Sequence, residues 1–190
     1  VHQSIVNKES GKNIFSNEDG TASEAFFHYI GGLQRYVPAA MVLVAPYVNS
    51  YRRLSRHTAA PINIEWGYDN RTVGIRSPIS SPQARRVENR VIGADANPYL
   101  VTAAVLAGML HGIENGFDPG SPVVGNAYEQ TEIRTPYWRQ AIGDFMESGF
   151  IREQFGASFQ HIYGQQKLKE MQTFYTHVTT LEYDWYLRAV

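Results

Sequence analysis

The spacing of apolar residues changes period twice along this chain, and that limits the possible folds more than any other feature. Between Ala25 and Tyr36, apolar positions (Ala25, Phe26, Tyr29, Ile30, Leu33) recur as on one face of a helix. From Pro61 the period drops to two: Ile62, Ile64 and Trp66 alternate with Asn63 and Glu65, then Arg71, Val73 and Ile75 alternate with Thr72, Gly74 and Arg76. Residues 85–91 (RRVENRV) continue the alternation, and beyond Asn97 the helical period returns. An alternating block framed by helical blocks predicts an α+β chain, with an antiparallel sheet backed by helices and a helical C-terminal half.

Local signals place the elements. Residues 1–6 alternate like a strand. Thr21 with Glu24 three residues later is a capping-box pattern that starts a helix near Ala22. Pro38 opens a second, wholly apolar helix that Pro46 stops. The alternating runs on either side of the Gly67-Tyr68-Asp69-Asn70 turn read as a hairpin. Asn97 and Pro98 cap a long apolar helix that Gly116 ends. Further helices are expected over 136–145, 149–163 and 165–186.

Composition narrows the function classes. The 190 residues are 43% hydrophobic and 18% charged, with a net charge of -1, so no field gathers nucleic acid or anionic lipid. With no cysteine, a metal would be held by carboxylate or imidazole, which favours Mg²⁺ or Mn²⁺. No apolar run reaches a membrane span and residues 1–20 are polar, so a cytoplasmic protein is expected. The chain opens at Val1, without methionine, in the middle of an alternating stretch, and reads as part of a longer protein.

The charged residues of the alternating block carry the functional signal. Arg52, Arg53, Arg71, Arg76, Arg85, Arg86 and Arg90 cluster there, and planar guanidinium groups suit bidentate capture of carboxylate and phosphate. Period two puts Arg86, Glu88 and Arg90 on one strand face, with Glu88 about 7 Å from each neighbour. A carboxylate there can hold a metal that bridges phosphates, but an isolated RxExR strand reads first as a solvated ion-pair ladder.

The surroundings of that strand decide between these readings. VNSYRRL, AAPINIEWGYDNRTVGIRSP, ARRVENR and DANPYL occur in order over residues 48–100. They resemble the glutamine synthetase signature, in which NSYKRL, AP, a strand, NRS and IR, RRxExR and ANPY come at the same spacings. The resemblance extends to His2-Gln3-Ser4, to Ile30-Gly31-Gly32-Leu33, to the Gly125-Asn126-Ala127-Tyr128-Glu129 loop and to the closing LEYDWYL. It therefore covers the chain.

By that resemblance, residues 1–190 would be the C-terminal part of a catalytic domain, its sheet part of the family's split barrel, with the β-grasp domain and the first part of the catalytic domain upstream. The resemblance also implies roles for single residues. Arg53, Arg71 and Arg90 would hold glutamate and the transferring phosphoryl group. Arg71, Arg76 and Arg86 would face the nucleotide phosphates, with His2 and Ser4 beside the nucleotide. Glu88 would be a metal ligand, and the family's other metal ligands would lie upstream of Val1. The function implied is an ATP-dependent ligase that joins an amine to the γ-carboxylate of glutamate, with Mg²⁺ or Mn²⁺, in a homo-oligomer of stacked rings.

Two departures bear on the acceptor. The family's Pro-Gly-aromatic-Glu flap is replaced by Arg56-His57-Thr58-Ala59, and an expected lysine is Gln83. A lost flap glutamate removes a charge and a base for ammonium, which favours an organic amine such as a polyamine. The γ-glutamylpolyamine synthetase-like members have similar APYVNSYRR and GNAYE stretches. The alternatives are an ammonia-using glutamine synthetase, a non-catalytic nucleotide- or glutamate-binding relative, and a purely structural domain. His28, His111, His161 and His177 are assigned to packing or surface, and Phe155, Phe159, Tyr163, Phe174, Trp185 and Tyr186 to core or subunit contact.

Overall fold

A computed structural model describes residues 1–55, 60–130 and 137–189. The flap residues Arg56, His57, Thr58 and Ala59 lie outside the described residues. Strand β1 (His2–Gln3) leads into a looped segment, followed by α1 (Glu24–Tyr36), α2 (Met41–Val44) and α3 (Val48–Arg53). Strands β2 (Trp66–Tyr68), β3 (Ile75–Ser77) and β4 (Val87–Asn89) complete a sheet in the order β1-β4-β3-β2. Helices α4 (Pro98–Asn115), α5 (Ala127–Gln130), α6 (Trp138–Glu147), α7 (Gly149–Phe155), α8 (Ala157–Thr176) and α9 (Thr180–Tyr186) come after the sheet. This is an α+β chain whose helices pack on a small sheet.

The sheet is mixed rather than antiparallel. β4 runs antiparallel to β1 and β3, whereas β2 and β3 are parallel, with Trp66 opposite Ile75. The expected hairpin is thus replaced by a tight parallel connection over residues 69–74. Parallel neighbours ordinarily need a much longer crossover. Here two asparagines curl the chain instead. Asn70 Oδ1 accepts from the Thr72 N–H at 2.9 Å and its hydroxyl at 2.6 Å, and Asn63 Oδ1 accepts from the N–H groups of Glu65 and Gly74. Asp69 takes a left-handed φ of 45° at the start of the loop.

Two helix starts differ in the same local way. α1 is capped by Ser23, whose hydroxyl accepts from the Phe26 N–H at 3.3 Å, and not by Thr21. Thr21 is engaged in a tight turn, its hydroxyl donating to Asp19 at 2.6 Å. The apolar run after Pro38 is helical over Met41–Val44, and every residue from Met41 to Pro46 is buried.

The long central helix forms as expected. Asn97 Oδ1 accepts from the N–H groups of Tyr99 and Leu100, Pro98 occupies the first turn, and Gly116 closes α4 at φ 64°. α4 crosses α1 at glycines: a methyl group on Gly32 would meet the Gly108 carbonyl, and one on Gly112 would meet the His28 carbonyl. This close approach lets Tyr29, Ile30, Leu33, Val101 and Val105 join one core with Trp66, Ile75 and Val87 of the sheet.

Toward the C-terminus the helix break falls at Gly156 (φ 85°), not at Gly164. Gly164 lies inside α8, where a side chain would collide with Met146. Phe145, Phe155, Phe159 and Tyr163 form a ladder of rings 5.4 to 6.3 Å apart between α6, α7 and α8. Phe174, Trp185 and Tyr186 are instead exposed, at 38%, 61% and 61%. His111 accepts or donates at 2.5 Å with the Tyr36 hydroxyl, and His161 is exposed on α8. Among the described residues no helix is long and apolar enough to cross a membrane.

Candidate functional site

Glu88 sits at the middle of β4, directly opposite His2 on β1 and Arg76 on β3. Alternation along the strand turns Val87 and Asn89 into the core and leaves Glu88 on the other face, with its side chain 20% exposed. Its Oε2 lies 3.0 Å from Arg76 Nη1 and 4.0 Å from Arg90 Nε, and its Oε1 lies 3.7 Å from His2 Nε2. Glu88 and Arg90 thus share one face, as a period of two along the strand required, whereas Arg76 reaches Glu88 from the neighbouring strand β3 and Arg86 makes no contact with them among the described bonds.

Neighbouring backbone fixes the guanidinium groups. Arg90 donates to the carbonyls of Arg71 and Val73, so it holds the 69–74 loop against the strand. Arg53, the last residue of α3, donates to the Val91 carbonyl immediately after Arg90. Arg76 bridges Glu88 and Asp69, and these hydrogen bonds, that to Asp69 foremost, raise its pKa. Burial lowers the pKa of Arg53 and of Arg90, opposed by Asp95 and by Glu88 respectively. Arginine remains charged throughout, so these side chains bring fixed positive charge beside Glu88.

Arg71 is exposed at the rim of an open cavity of about 450 Å³ lined by Tyr68, Asp69, Asn70 and residues 122–125. Loop 118–125 is strapped to β2 there. The Trp66 indole donates to the Gly120 carbonyl at 2.9 Å, and Asn70 Nδ2 donates to the carbonyls of Val123 and Gly125. Tyr128 then reaches back, its hydroxyl donating to the Ala60 carbonyl at 2.8 Å.

The other arginines of the sequence cluster have different tasks. Arg85 donates to the carbonyls of Phe15, Gly20 and Thr21 and to the Ser16 hydroxyl, which binds the segment after β1 to the sheet. Arg52 donates to Asn49 and lies 5.9 Å from the Phe174 ring centre. Arg86 donates to the Ala84 carbonyl at 3.2 Å, apart from the Glu88 cluster. Ser4 lies exposed beyond the end of β1, and Gln83 lies exposed beside β4.

Sequence reasoning missed two carboxylates. Asp69 pairs with Arg76 from the loop after β2, and its unusual φ was signalled only by the Asp-Asn turn dipeptide. Asp95 accepts from the Ser50 hydroxyl at 2.6 Å and so ties α3 to the approach to α4.

As for a metal, Glu88 offers a hard oxygen ligand with His2 beside it. Among the described residues no group of three or more His, Asp or Glu could hold an ion. Glu88 by its chemistry fits the role of one hard-cation ligand.

The sequence profile of one family, described as glutamine synthetase, catalytic domain, matches residues 1–186. The chain is 39% identical over 189 residues to the γ-glutamylputrescine synthetase PuuA of Escherichia coli (strain K12), covering 99% of this chain and 40% of that protein. It is 37% identical over 196 residues to the glutamate–isopropylamine ligase of a Pseudomonas species, covering 100% of this chain and 42% of that protein. It is also 40% identical over 132 residues to the glutamine synthetase of Pyrococcus furiosus, covering 70% of this chain and 30% of that protein. The chain spans less than half the length of these relatives. With the match running through sheet and helices alike, the chain belongs to the glutamine synthetase family as part of its catalytic domain.

Proposed function

We propose that this chain is the site-bearing part of an ATP-dependent ligase that joins an organic amine to the γ-carboxylate of glutamate. The observation that carries the reading is the convergence of Arg76, from β3, with Glu88 and Arg90 on one side of the sheet, with Arg53 bonded beside them and Arg71 at the rim of the cavity. Such a face suits a ligand with several anionic groups, and glutamate together with ATP is one.

In this reading the glutamate γ-carboxylate attacks the γ-phosphorus of ATP and releases ADP. The amine then attacks the acyl carbon of the γ-glutamyl phosphate, phosphate departs, and the nitrogen loses a proton. Arg53, Arg71 and Arg90 position glutamate and the transferring phosphoryl group. Arg76 and Arg86, with Arg71, face the nucleotide phosphates, and His2 and Ser4 lie beside the nucleotide. Catalysis by these residues is orientation and charge neutralisation. Mg²⁺ or Mn²⁺ would take Glu88 as one ligand and offset phosphate charge when bound. A homo-oligomer and the split-barrel setting of the sheet belong to the same proposal.

An organic acceptor is favoured over ammonia because two relatives aligned over 99% and 100% of the chain are named for putrescine and isopropylamine products. Likeness to glutamine synthetases, at 40% identity over 70% of the chain and 33% over 92%, supports ammonia as the second reading. Phosphate release by the full-length protein with ATP, Mg²⁺ and glutamate decides between them. The expected result is a higher kcat/KM with a mono- or diamine than with ammonium. A value for ammonium at least equal to that for every amine would establish glutamine synthesis instead, and no glutamate-dependent release would favour a binding-only protein.

A further inference from the structure

Lysine is rarely buried, yet Lys167, midway along α8, is 4% exposed. Its ammonium lies 2.8 Å from Glu170 Oε2, 4.5 Å from the ring centre of Tyr47 and 5.5 Å from that of Tyr163. The Tyr163 hydroxyl donates to the Val42 carbonyl at 3.3 Å, which anchors α8 against α2. An apolar residue would fill the same volume without the desolvation that a buried ammonium brings. What the cation adds, besides its pairing with Glu170, is attraction to ring faces, most of all to the nearer ring, that of Tyr47.

That ring belongs to the residue that starts α3. The Tyr47 N–H donates to the Ser50 hydroxyl at 3.1 Å, and Ser50 in turn donates to Asp95. The helix is six residues long, and its last residue is Arg53, bonded to the Val91 carbonyl next to Arg90. A helix this short does not hold its own shape or direction, so the packing of Val48 and Tyr51 together with the contacts at its ends sets where Arg53 points. One end is tied to the site strand and the other is gripped from the C-terminal helices.

We infer that Lys167 is a positioning residue for glutamate binding: by holding Tyr47 it fixes α3, and with it the guanidinium of Arg53. The inference deepens the proposed function and rests on its assignment of Arg53. It gives α8 a part in the site although, among the described contacts, α8 reaches the arginines only where Phe174 meets Arg52.

The test uses the full-length protein, with glutamate and ATP varied separately in phosphate-release assays. Lys167→Met keeps the stem and removes the charge, and should raise the glutamate KM about tenfold while the ATP KM stays within about twofold. Lys167→Arg restores the cation and should return the glutamate KM to within about threefold of wild type. If Lys167→Met does not accumulate as folded protein, Tyr47→Leu makes the same test at a half-exposed position, with Tyr47→Phe as the ring-preserving variant of unchanged KM. An unchanged glutamate KM, an equal rise for both substrates, or no recovery in Lys167→Arg would overturn the inference. Absence of glutamate-dependent phosphate release in the wild type would overturn the ligase reading, and this inference with it.

Discussion

Arg76 and Glu88 are direct cross-strand partners in β3 and β4, and Arg76 Nη1 stands 3.0 Å from Glu88 Oε2. The pair is about four-fifths buried and is shared, since Arg76 also holds Asp69 and Glu88 also faces Arg90 and His2. A carboxylate shared among several partners has its negative charge stabilised by more than one of them. Removing its charge should affect chemistry more than folding.

Glu88→Gln preserves shape and still accepts a hydrogen bond from Arg76. In the full-length protein it should lower the kcat of ATP-dependent phosphate release by about 100-fold or more, the scale of losing one electrostatic stabiliser. Thermal unfolding should move by only a few degrees, because Asp69 continues to partner Arg76. Wild-type turnover with unchanged Mg²⁺ dependence would remove Glu88 from the site.

The α1–α4 crossing makes a sharp contrast between two glycines. Gly112→Ala drives a methyl group into the His28 carbonyl and the Gly32 backbone, and should destabilise the protein by about 1–3 kcal/mol through overpacking. Gly143, inside α6, has open space where a side chain would be, so Gly143→Ala should stabilise by about 0.5–1 kcal/mol through helix propensity. Chemical denaturation of the two variants tests this. A neutral Gly112→Ala would mean that the helices can move apart.

Alkaline stability should reflect the buried tyrosines. Burial foremost, with Glu170 nearby, pushes the Tyr163 hydroxyl up to about 12, and Tyr51 and Tyr29 are shifted in the same direction by burial. The folded state thus favours the neutral phenol more than the unfolded state does. Stability from Tyr163 is complete below pH about 10 and is lost as pH rises through about 12. The melting temperature of the wild type should fall over that window, and Tyr163→Phe should fall less steeply. Parallel curves for the two proteins would remove Tyr163 as a contributor.

Much of this architecture could be read from neighbouring letters. The limits of α4 are set by Asn97, Pro98 and Gly116, because caps act within a few residues of chain. The shared face of Glu88 and Arg90 comes from strand period, and the order of motifs between residues 48 and 100 pointed to the family that the comparisons show. Thr21 misled because Ser23 sat closer to the first helical turn and Asp19 competed for the threonine hydroxyl.

Long-range placement was decided elsewhere. Whether β2 and β3 run parallel depends on Asn63 and Asn70 bonding to residues that they meet only after the chain has curled. Gly156 and Gly164 are equivalent in sequence, but one takes a positive φ and the other receives Met146 from α6. Arg52, Arg53, Arg85 and Arg90 likewise look alike as letters. Arg85 binds the loop after β1, Arg53 and Arg90 bind backbone carbonyls around β4, and Lys167 reaches the start of α3 from more than a hundred residues away. Local sequence determines caps, periods and strand faces because those depend on contacts a few residues apart. Which cation meets which carbonyl, carboxylate or ring depends on surfaces that adjoin only when the helices close on the sheet.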